Sequence, residues 1–277
     1  MPRKSVALIG CGTIGTHLAL AIDSGSIANA SLIGLFDIVD GNAKNLKSKL
    51  KSGPEVYLDF GRLINSPADI IIEAASQQAV RKFGKLVIQA NKDLMIMSVG
   101  ALADRKFLAE LFELAALREG RSRIYIPTGA IAGIDAIRSV RHLLDSVTLT
   151  TTKSPKALAG APFLATREIN FDRITKTTEI YEGSAVEAVK LFPANVNVAA
   201  VLSLAGIGAD KTKVRVLVDP KATTNQHEIT ATGSFGVIKI TVNNVTAPGN
   251  PKTSFLAVLS AIECLRSICD DAIRIGS

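Results

Sequence analysis

Three glycines near the start of the chain have the spacing of a phosphate-binding turn. Gly10, Gly12 and Gly15 directly follow the apolar run 5–9, and a helical pattern continues over residues 16–24. Glycines here permit a tight turn, a close approach of backbone amides to a diphosphate, and packing of the helix on the strand. The helix start adds amide donors and the positive end of its dipole. The residues predicted to bind the diphosphate of a dinucleotide are Gly10, Gly12, Thr13, Ile14 and Gly15.

An acidic residue follows the second apolar run. Asp37 ends the run 31–36, where a carboxylate accepts hydrogen bonds from the adenosine ribose of NAD. Ile38 follows it, rather than an arginine suited to the 2′-phosphate of NADP. We therefore predict NAD as the cofactor, with NADP as the alternative because lysines lie nearby. A turn-capping aspartate is the competing structural interpretation.

Histidine is the side chain best suited to relay a proton near neutral pH. Of the three histidines, His17 lies in the helix after the glycine turn and His142 at a polar helix end, where structural roles suffice. His227 lies in an alternating, strand-like segment of the second half. The pattern alone does not distinguish a functional His227 from an ordinary strand histidine.

Apolar runs alternate with helical patterns up to residue 127, which predicts a parallel sheet covered by helices on both faces. Ser76 and Ser98 follow predicted strands at the edge that faces ligands in such sheets, so both are expected cofactor contacts. Beyond residue 137, alternating segments around a helical, Ala- and Val-rich stretch predict an α+β region with antiparallel strands.

The predicted fold class is α/β with two domains. An N-terminal Rossmann dinucleotide-binding domain covers residues 1–136, and a second α+β domain with a mixed or antiparallel sheet covers 137–249. Residues 250–277 are predicted to form a helix, apolar at every third or fourth position, that returns to the first domain.

The composition of the chain excludes several other classes of protein. The chain has 277 residues, 47% hydrophobic and 21% charged, which excludes wholesale disorder. Its net charge of +7 comes from scattered lysines and arginines without interleaved aromatics, so no nucleic-acid partner is predicted. The sequence contains no run of about 18 apolar residues, the length that a membrane-spanning helix needs. Its cysteines do not have the spacing of metal ligands. We expect a cytoplasmic protein without a metal or a membrane anchor.

Seven further segments span almost the whole chain in order, and together they resemble the L-aspartate dehydrogenase family. They are residues 73–76 (EAAS), 97–102 (MSVGAL), 127–133 (PTGAIAG), 156–158 (KAL), 192–200 (FPANVNVAA), 225–229 (NQHEI) and 250–254 (NPKTS). Thr128-Gly129 stands where the family commonly has Ser-Gly, a change that keeps the hydroxyl donor.

The resemblance implies oxidation of L-aspartate by NAD(P) to iminosuccinate. That imine either hydrolyses to oxaloacetate and ammonia or feeds quinolinate and NAD biosynthesis. It also implies a homodimer formed through the second domain, which shapes the substrate site. By the same resemblance, His227 is the active-site residue, and Ala130 and Asn197 contact the cofactor.

A substrate with two carboxylates requires cationic or amide donors. Lys153, Asn195 and Asn225 are the candidates for these contacts. A solvated loop lysine is an equally good interpretation of Lys153, and helix capping competes at Asn195.

Three alternatives remain from the sequence. A dihydrodipicolinate reductase-like enzyme would show a His-His pair before a lysine-rich segment, which is absent here. A homoserine dehydrogenase-like enzyme would carry its catalytic lysine in a different motif. A non-catalytic NAD(H)-sensing protein would keep the glycine turn and Asp37, but it would not need a polar cleft around Asn197 and His227.

Overall fold

The computed structural model describes residues 3–117, 122–165, 169, 171–193 and 197–270. The chain divides into two compact units. The first unit contains residues 1–127 and 258–277, and the second contains residues 128–257. The division therefore precedes the boundary that the sequence predicted after residue 136.

The first unit is built on a six-stranded sheet in which every neighbouring pair is parallel. Its strands are β1 (Lys4–Ile9), β2 (Ala30–Phe36), β3 (Glu55–Val56), β4 (Ile70–Glu73), β5 (Asp93–Ile96) and β6 (Ile124–Tyr125). The order β3-β2-β1-β4-β5-β6 reverses direction between β1 and β4. This is the doubly wound arrangement in which ligands bind at the carboxyl ends of the strands. The predicted Rossmann fold is confirmed.

Helices connect these strands: α1 (Thr13–Asp23), α2 (Asp40–Lys47), α3 (Phe60–Ile64), α4 (Gln77–Gln89) and α5 (Arg105–Ala116). The apolar spacing of residues 101–118 by itself favours one long helix, but the structure differs at the start of this stretch. Residues Val99–Ala103 form a 3-10 segment, and α5 begins only at Arg105. Asp104 causes this start because its side chain accepts hydrogen bonds from the amides of Lys106 and Phe107.

The second unit contains a five-stranded sheet and a two-stranded ribbon. Its strands are β7 (Leu144–Lys153), β8 (Thr178–Ser184), β9 (Lys213–Val218), β10 (Asn225–Gly233), β11 (Gly236–Asn244), β12 (Thr246–Ala247) and β13 (Asn250–Ser254). The large sheet has the order β11-β10-β7-β9-β8 and is mixed, because β7 and β9 run parallel. The prediction of a mixed or antiparallel sheet is confirmed in its mixed form, with β7 and β9 as the parallel pair. The long connection through β8 allows the crossover that a parallel pair requires.

Short helices accompany this sheet: α6 (Ile134–Ser139), α7 (Pro155–Leu158), α8 (Pro162–Ala165), α9 (Ala185–Leu191) and α10 (Asn197–Ala205). Further 3-10 segments lie at Arg141–Leu143 and Phe171–Arg173. One face of the sheet is buried, as the alternation of buried residues along β7 and β10 shows. A side chain at Gly206, after α10, would lie 3.5 Å from Val147 and 3.6 Å from Ile137 of α6, so both helices adjoin this face.

The last helix of the described chain, α11 (Phe255–Cys269), packs on the first unit, as the sequence predicted. Ala261, Leu265 and Cys269 are fully buried in the core cluster of that unit. The prediction that the helix starts at residue 250 is wrong, because Asn250–Ser254 pairs with β12. A residue before proline is driven to extended backbone, and Asn250 precedes Pro251.

The close packing between the end of β1 and the start of α1 at Gly15 yields a direct test. A Cβ at Gly15 would overlap the carbonyl oxygen of Gly10, whereas a Cβ at Gly41 of α2 would meet no heavy atom outside its own helix within 4 Å. We expect Gly15→Ala to lower the free energy of unfolding by about 1–3 kcal/mol through overpacking. Gly41→Ala should raise it by about 0.5–1 kcal/mol. Urea unfolding measures both, and equal effects of the two substitutions would contradict this description of the turn.

Candidate functional site

The glycine turn has the geometry that a diphosphate requires. Gly10 has a φ of +97°, a backbone conformation that favours glycine. Gly12 is exposed and is the N-cap residue of α1, and no side chain caps the helix there. A Cβ on Gly12 would meet no heavy atom within 4 Å, so it would project into open space beside the helix start. The turn therefore fits a dinucleotide whose diphosphate approaches the backbone at Gly12.

Asp37 ties this turn to the end of β2. Its Oδ2 accepts a hydrogen bond from the Cys11 amide at 2.8 Å. Its Oδ1 accepts hydrogen bonds from the backbone amide of Val39 at 2.9 Å and from the side-chain amide Nδ2 of Asn42 at 3.2 Å. The carboxylate is half-buried, so the turn-capping interpretation and a contact to ribose are compatible with each other.

A cleft of about 210 Å³ opens beside Asp37. Gly10, Ile38 and Ser76 line it, together with Lys82 from α4. Sequence reasoning missed Lys82, because a lysine on an amphipathic helix gives no signal that it faces a ligand cleft rather than solvent.

The two predicted serines both have structural partners. Ser76 begins α4, and its hydroxyl accepts a hydrogen bond from the Ala79 amide at 3.1 Å. Ser98 is buried after β5, and its hydroxyl donates to Glu73 at 2.9 Å. Glu73 ends β4 and is 1% exposed. Burial raises the pKa of its carboxyl, and hydrogen bonds from Ser98, Ala75 and Ser76 oppose that shift.

Three predicted residues of the second unit meet at one end of its large sheet, together with Thr151, which the sequence pattern did not single out. Thr151 and His227 face each other on β7 and β10, and the Thr151 hydroxyl lies 3.1 Å from Nδ1 of His227. Lys153 and Asn225 lie two residues away on the same strands, so alternation places all four on one face. Each is at most 3% exposed. We call Thr151, Lys153, Asn225 and His227 the polar cluster.

Burial corrects the interpretation of Lys153 as a solvated loop lysine. It is the last residue of β7 and 3% exposed, and burial lowers its pKa to about 8. Burial, and then the charge of Lys153, lower the pKa of His227 to about 3. His227 is therefore neutral across the physiological range, while Lys153 changes charge just above it.

The remaining candidates of the second unit lie near this end as well. The Asn225 side chain donates to the Ser254 hydroxyl at 3.3 Å, and its strand partner Asn244 donates to the Ala130 carbonyl at 3.0 Å. Asn197 begins α10. A Cβ on Gly129 would lie 3.8 Å from Val198, so the segment around Ala130 adjoins the start of that helix. Asn195 lies outside the described residues.

No group of three or more His, Cys, Asp or Glu side chains in the described parts of the chain is arranged to hold a metal ion. No helix in them is both long and apolar enough to cross a membrane.

A doubly wound parallel sheet with this glycine turn defines a dinucleotide-binding protein, and the polar cluster adds ionisable groups suited to redox chemistry on a small molecule. The class is a two-unit, nicotinamide-dependent oxidoreductase. Residues 10–127 match the family model described as homoserine dehydrogenase, NAD binding domain. Residues 135–268 match the model described as aspartate dehydrogenase, C-terminal.

Sequence similarity to named proteins identifies the family within this class of oxidoreductases. The chain is 49% identical to the L-aspartate dehydrogenase of Nitrosopumilus maritimus over 99% of this chain and 100% of that protein. It is 46% identical to that of Methanococcoides burtonii, over 96% of this chain and 97% of the relative. The chain belongs to the L-aspartate dehydrogenase family, and NAD is its cofactor. The three alternatives weighed from the sequence are set aside.

Solved structures agree with this assignment. The crystal structure of aspartate dehydrogenase from Thermotoga maritima is similar with a TM-score of 0.76 and 27% identity, over 99% of this chain and 100% of that one. Myo-inositol dehydrogenase from Lactobacillus casei is similar with a TM-score of 0.58 and 13% identity, over 99% and 88% of the chains. The second likeness concerns the fold alone.

Proposed function

We propose that this protein oxidises L-aspartate to iminosuccinate with NAD. Family membership supports the substrate, because the relatives named above are L-aspartate dehydrogenases. The observation that carries the chemistry is the polar cluster. Val147, Leu149, Ile229 and Ala231 make the same sheet face apolar, and it becomes polar and ionisable only at one end. Buried ionisable groups are costly, so their concentration at one place favours a reactive site.

The first unit holds most of the residues that we assign to the cofactor. They are Gly10, Gly12, Thr13, Ile14 and Gly15 at the diphosphate, Asp37 at the ribose, and Ser76 and Ser98 in the loops at the sheet edge. Ala130 and Asn197 of the second unit complete the set by the family resemblance. When bound, NAD supplies the hydride acceptor. Lys82 lies in the cleft beside Asp37, and its ammonium suits a 2′-phosphate, so NADP is a second candidate cofactor beside NAD.

Hydride can leave the α-carbon only after the α-ammonium of the substrate has lost a proton, so that its lone pair forms the imine. We assign acceptance of this proton to Lys153. The neutral Lys153 amine is available near pH 8, and its basicity is matched to an amine donor. His227 stays neutral, and it orients the substrate by hydrogen bonding while the Thr151 hydroxyl holds its ring.

The substrate carboxylates require other donors. Asn225 lies two residues before His227 on the same buried face, so we assign its side-chain amide to one carboxylate. Asn195 stays a candidate on the sequence alone.

The wider setting is also proposed. Iminosuccinate hydrolyses to oxaloacetate and ammonia or feeds pyridine nucleotide biosynthesis. We propose that the protein is a homodimer, because the family resemblance implies one. We propose a cytoplasmic location because Cys11, Cys264 and Cys269 are free thiols, which suits a reducing compartment.

A screen of amino acids with NAD tests the function directly. We expect NADH absorbance to appear with L-aspartate and to stay near background with L-glutamate, L-asparagine and L-homoserine, because the relatives at 49% and 46% identity are L-aspartate dehydrogenases. Turnover of another amino acid in place of L-aspartate would overturn the substrate assignment.

The ratio of the two cofactors tests Asp37. We expect Asp37→Ser to raise the KM for NAD about tenfold or more and to change the KM for NADP less. The substitution removes the acceptor for the ribose hydroxyls of NAD, and it removes a negative charge that would repel the 2′-phosphate of NADP. Separate KM values for NAD and NADP measure the ratio. Asp40→Ser, an exposed neighbour, is the control. An unchanged ratio in Asp37→Ser would show that Asp37 serves the turn alone.

The pH profile of kcat tests the assignment to Lys153. In the unchanged protein kcat should rise with pH through about 8, because only the deprotonated amine accepts a proton. Lys153→Met should lower kcat by about 10²–10⁴-fold and abolish this inflection. Lys153→Arg keeps the positive charge but does not deprotonate, so it should lose kcat while retaining much of the KM for L-aspartate.

Two further variants complete that experiment. Lys156→Met alters an exposed lysine and should leave the profile unchanged. His227→Asn should lower kcat but keep the inflection. An arginine variant with near-normal turnover would contradict proton acceptance and make Lys153 a carboxylate ligand.

A further inference from the structure

One buried carboxylate joins two loops at the ligand edge of the first sheet. Glu73 is the last residue of β4 and pairs in register with Ile9 of β1 and Ile96 of β5. It therefore lies at the position where the strand order reverses. At 1% exposure, it is among the most buried charged side chains of the described residues.

Four hydrogen bonds converge on this carboxylate. Oε1 accepts from the Ala75 and Ser76 amides, both at 2.8 Å, and from the Ser98 hydroxyl at 2.9 Å. Oε2 accepts from the Ser98 amide at 3.0 Å. An ionised carboxylate is an acceptor only, so it matches a set made entirely of donors. The loop after β4 is thereby fastened to the loop after β5.

The loop that Glu73 fastens forms a wall of the cofactor cleft. Ala75 and Ser76 line the cleft beside Asp37. A Cβ on Gly10 would lie 2.7 Å from the Ala74 carbonyl and 2.8 Å from the Ala75 side chain. The glycine turn and this loop are thus in direct contact, and a shift of residues 74–76 would change the shape of the cleft.

We propose that Glu73 is a positioning residue for NAD, which acts by holding the loops after β4 and β5 in the arrangement that admits the dinucleotide. The carboxylate of Glu73 accepts hydrogen bonds from Ala75, Ser76 and Ser98, so its effect on the dinucleotide passes through these residues. The proposal depends on cofactor binding by the first unit and is independent of the substrate.

Glu73→Gln is the sharpest variant because it keeps the shape of the side chain. Its amide oxygen can replace Oε1, but its NH₂ group then meets the Ser98 amide, donor against donor. We expect the Kd for NADH, measured by fluorescence titration without amino acid, to rise at least about fivefold, because a buried amide loses its acceptor. Glu113→Gln, an exposed glutamate of α5, should leave the Kd unchanged.

The pH dependence of binding separates positioning from a general loss of stability. Burial raises the pKa of Glu73 above its ordinary value, so a falling pH protonates this carboxyl earlier than an exposed one. As the pH is lowered through this raised pKa, the NADH affinity of the unchanged protein should therefore fall. Glu73→Gln should remove this dependence. Asp37 lies in the same cleft in both proteins, so the comparison isolates the effect of Glu73.

A parallel variant covers the case in which Glu73→Gln fails to fold. Ser98→Ala removes only the hydroxyl donor and leaves the other three hydrogen bonds to Glu73. It should raise the Kd for NADH about twofold to fivefold. Unchanged NADH affinity in the folded variants, with only a lower unfolding midpoint, would overturn the proposal. Because L-aspartate is absent from every titration, failure of the proposed substrate leaves these outcomes unaffected.

Discussion

The fold of the first unit depends on how closely two stretches of backbone approach each other at the turn between β1 and α1. The Gly10 carbonyl occupies the space that a side chain at Gly15 would need, and the other side of Gly10 abuts the Ala74 carbonyl. Asp37 closes the arrangement by accepting a hydrogen bond from Cys11. The start of α1, the end of β2 and the loop after β4 are therefore set by one steric constraint. They form the edge at which the dinucleotide is expected.

Each unit buries ionisable side chains, and the energetic cost of this burial is offset differently in the two units. Glu73 is surrounded by donors, so its burial is offset by four hydrogen bonds and its main consequence is a fixed loop geometry. The cost of burying Lys153 and His227 appears instead as lowered pKa values of both groups. A fully bonded carboxylate suits a positioning role, and an ionisable group shifted toward neutral pH suits proton transfer.

Local patterns predicted much of this protein. The strands of the first unit are short apolar runs because both faces of a parallel sheet are buried, and the glycine turn has a spacing that few other structures require. The start of α5 was missed because Asp104 caps the helix within a stretch that looks helical throughout. The strand at residues 250–254 was missed because its partner β12 is only two residues long.

The sequence by itself determined the fold class, the glycine turn with Asp37, and the family, since each is encoded in residues that lie close together in the chain or in motifs that keep their order. Only the tertiary structure decided that Lys153 is buried beside His227, that β7 and β9 are parallel, and that Glu73 joins two loops. These features arise between residues that are far apart in sequence. Burial and hydrogen bonding, which set the pKa of a side chain, depend on such neighbours and leave no local signal.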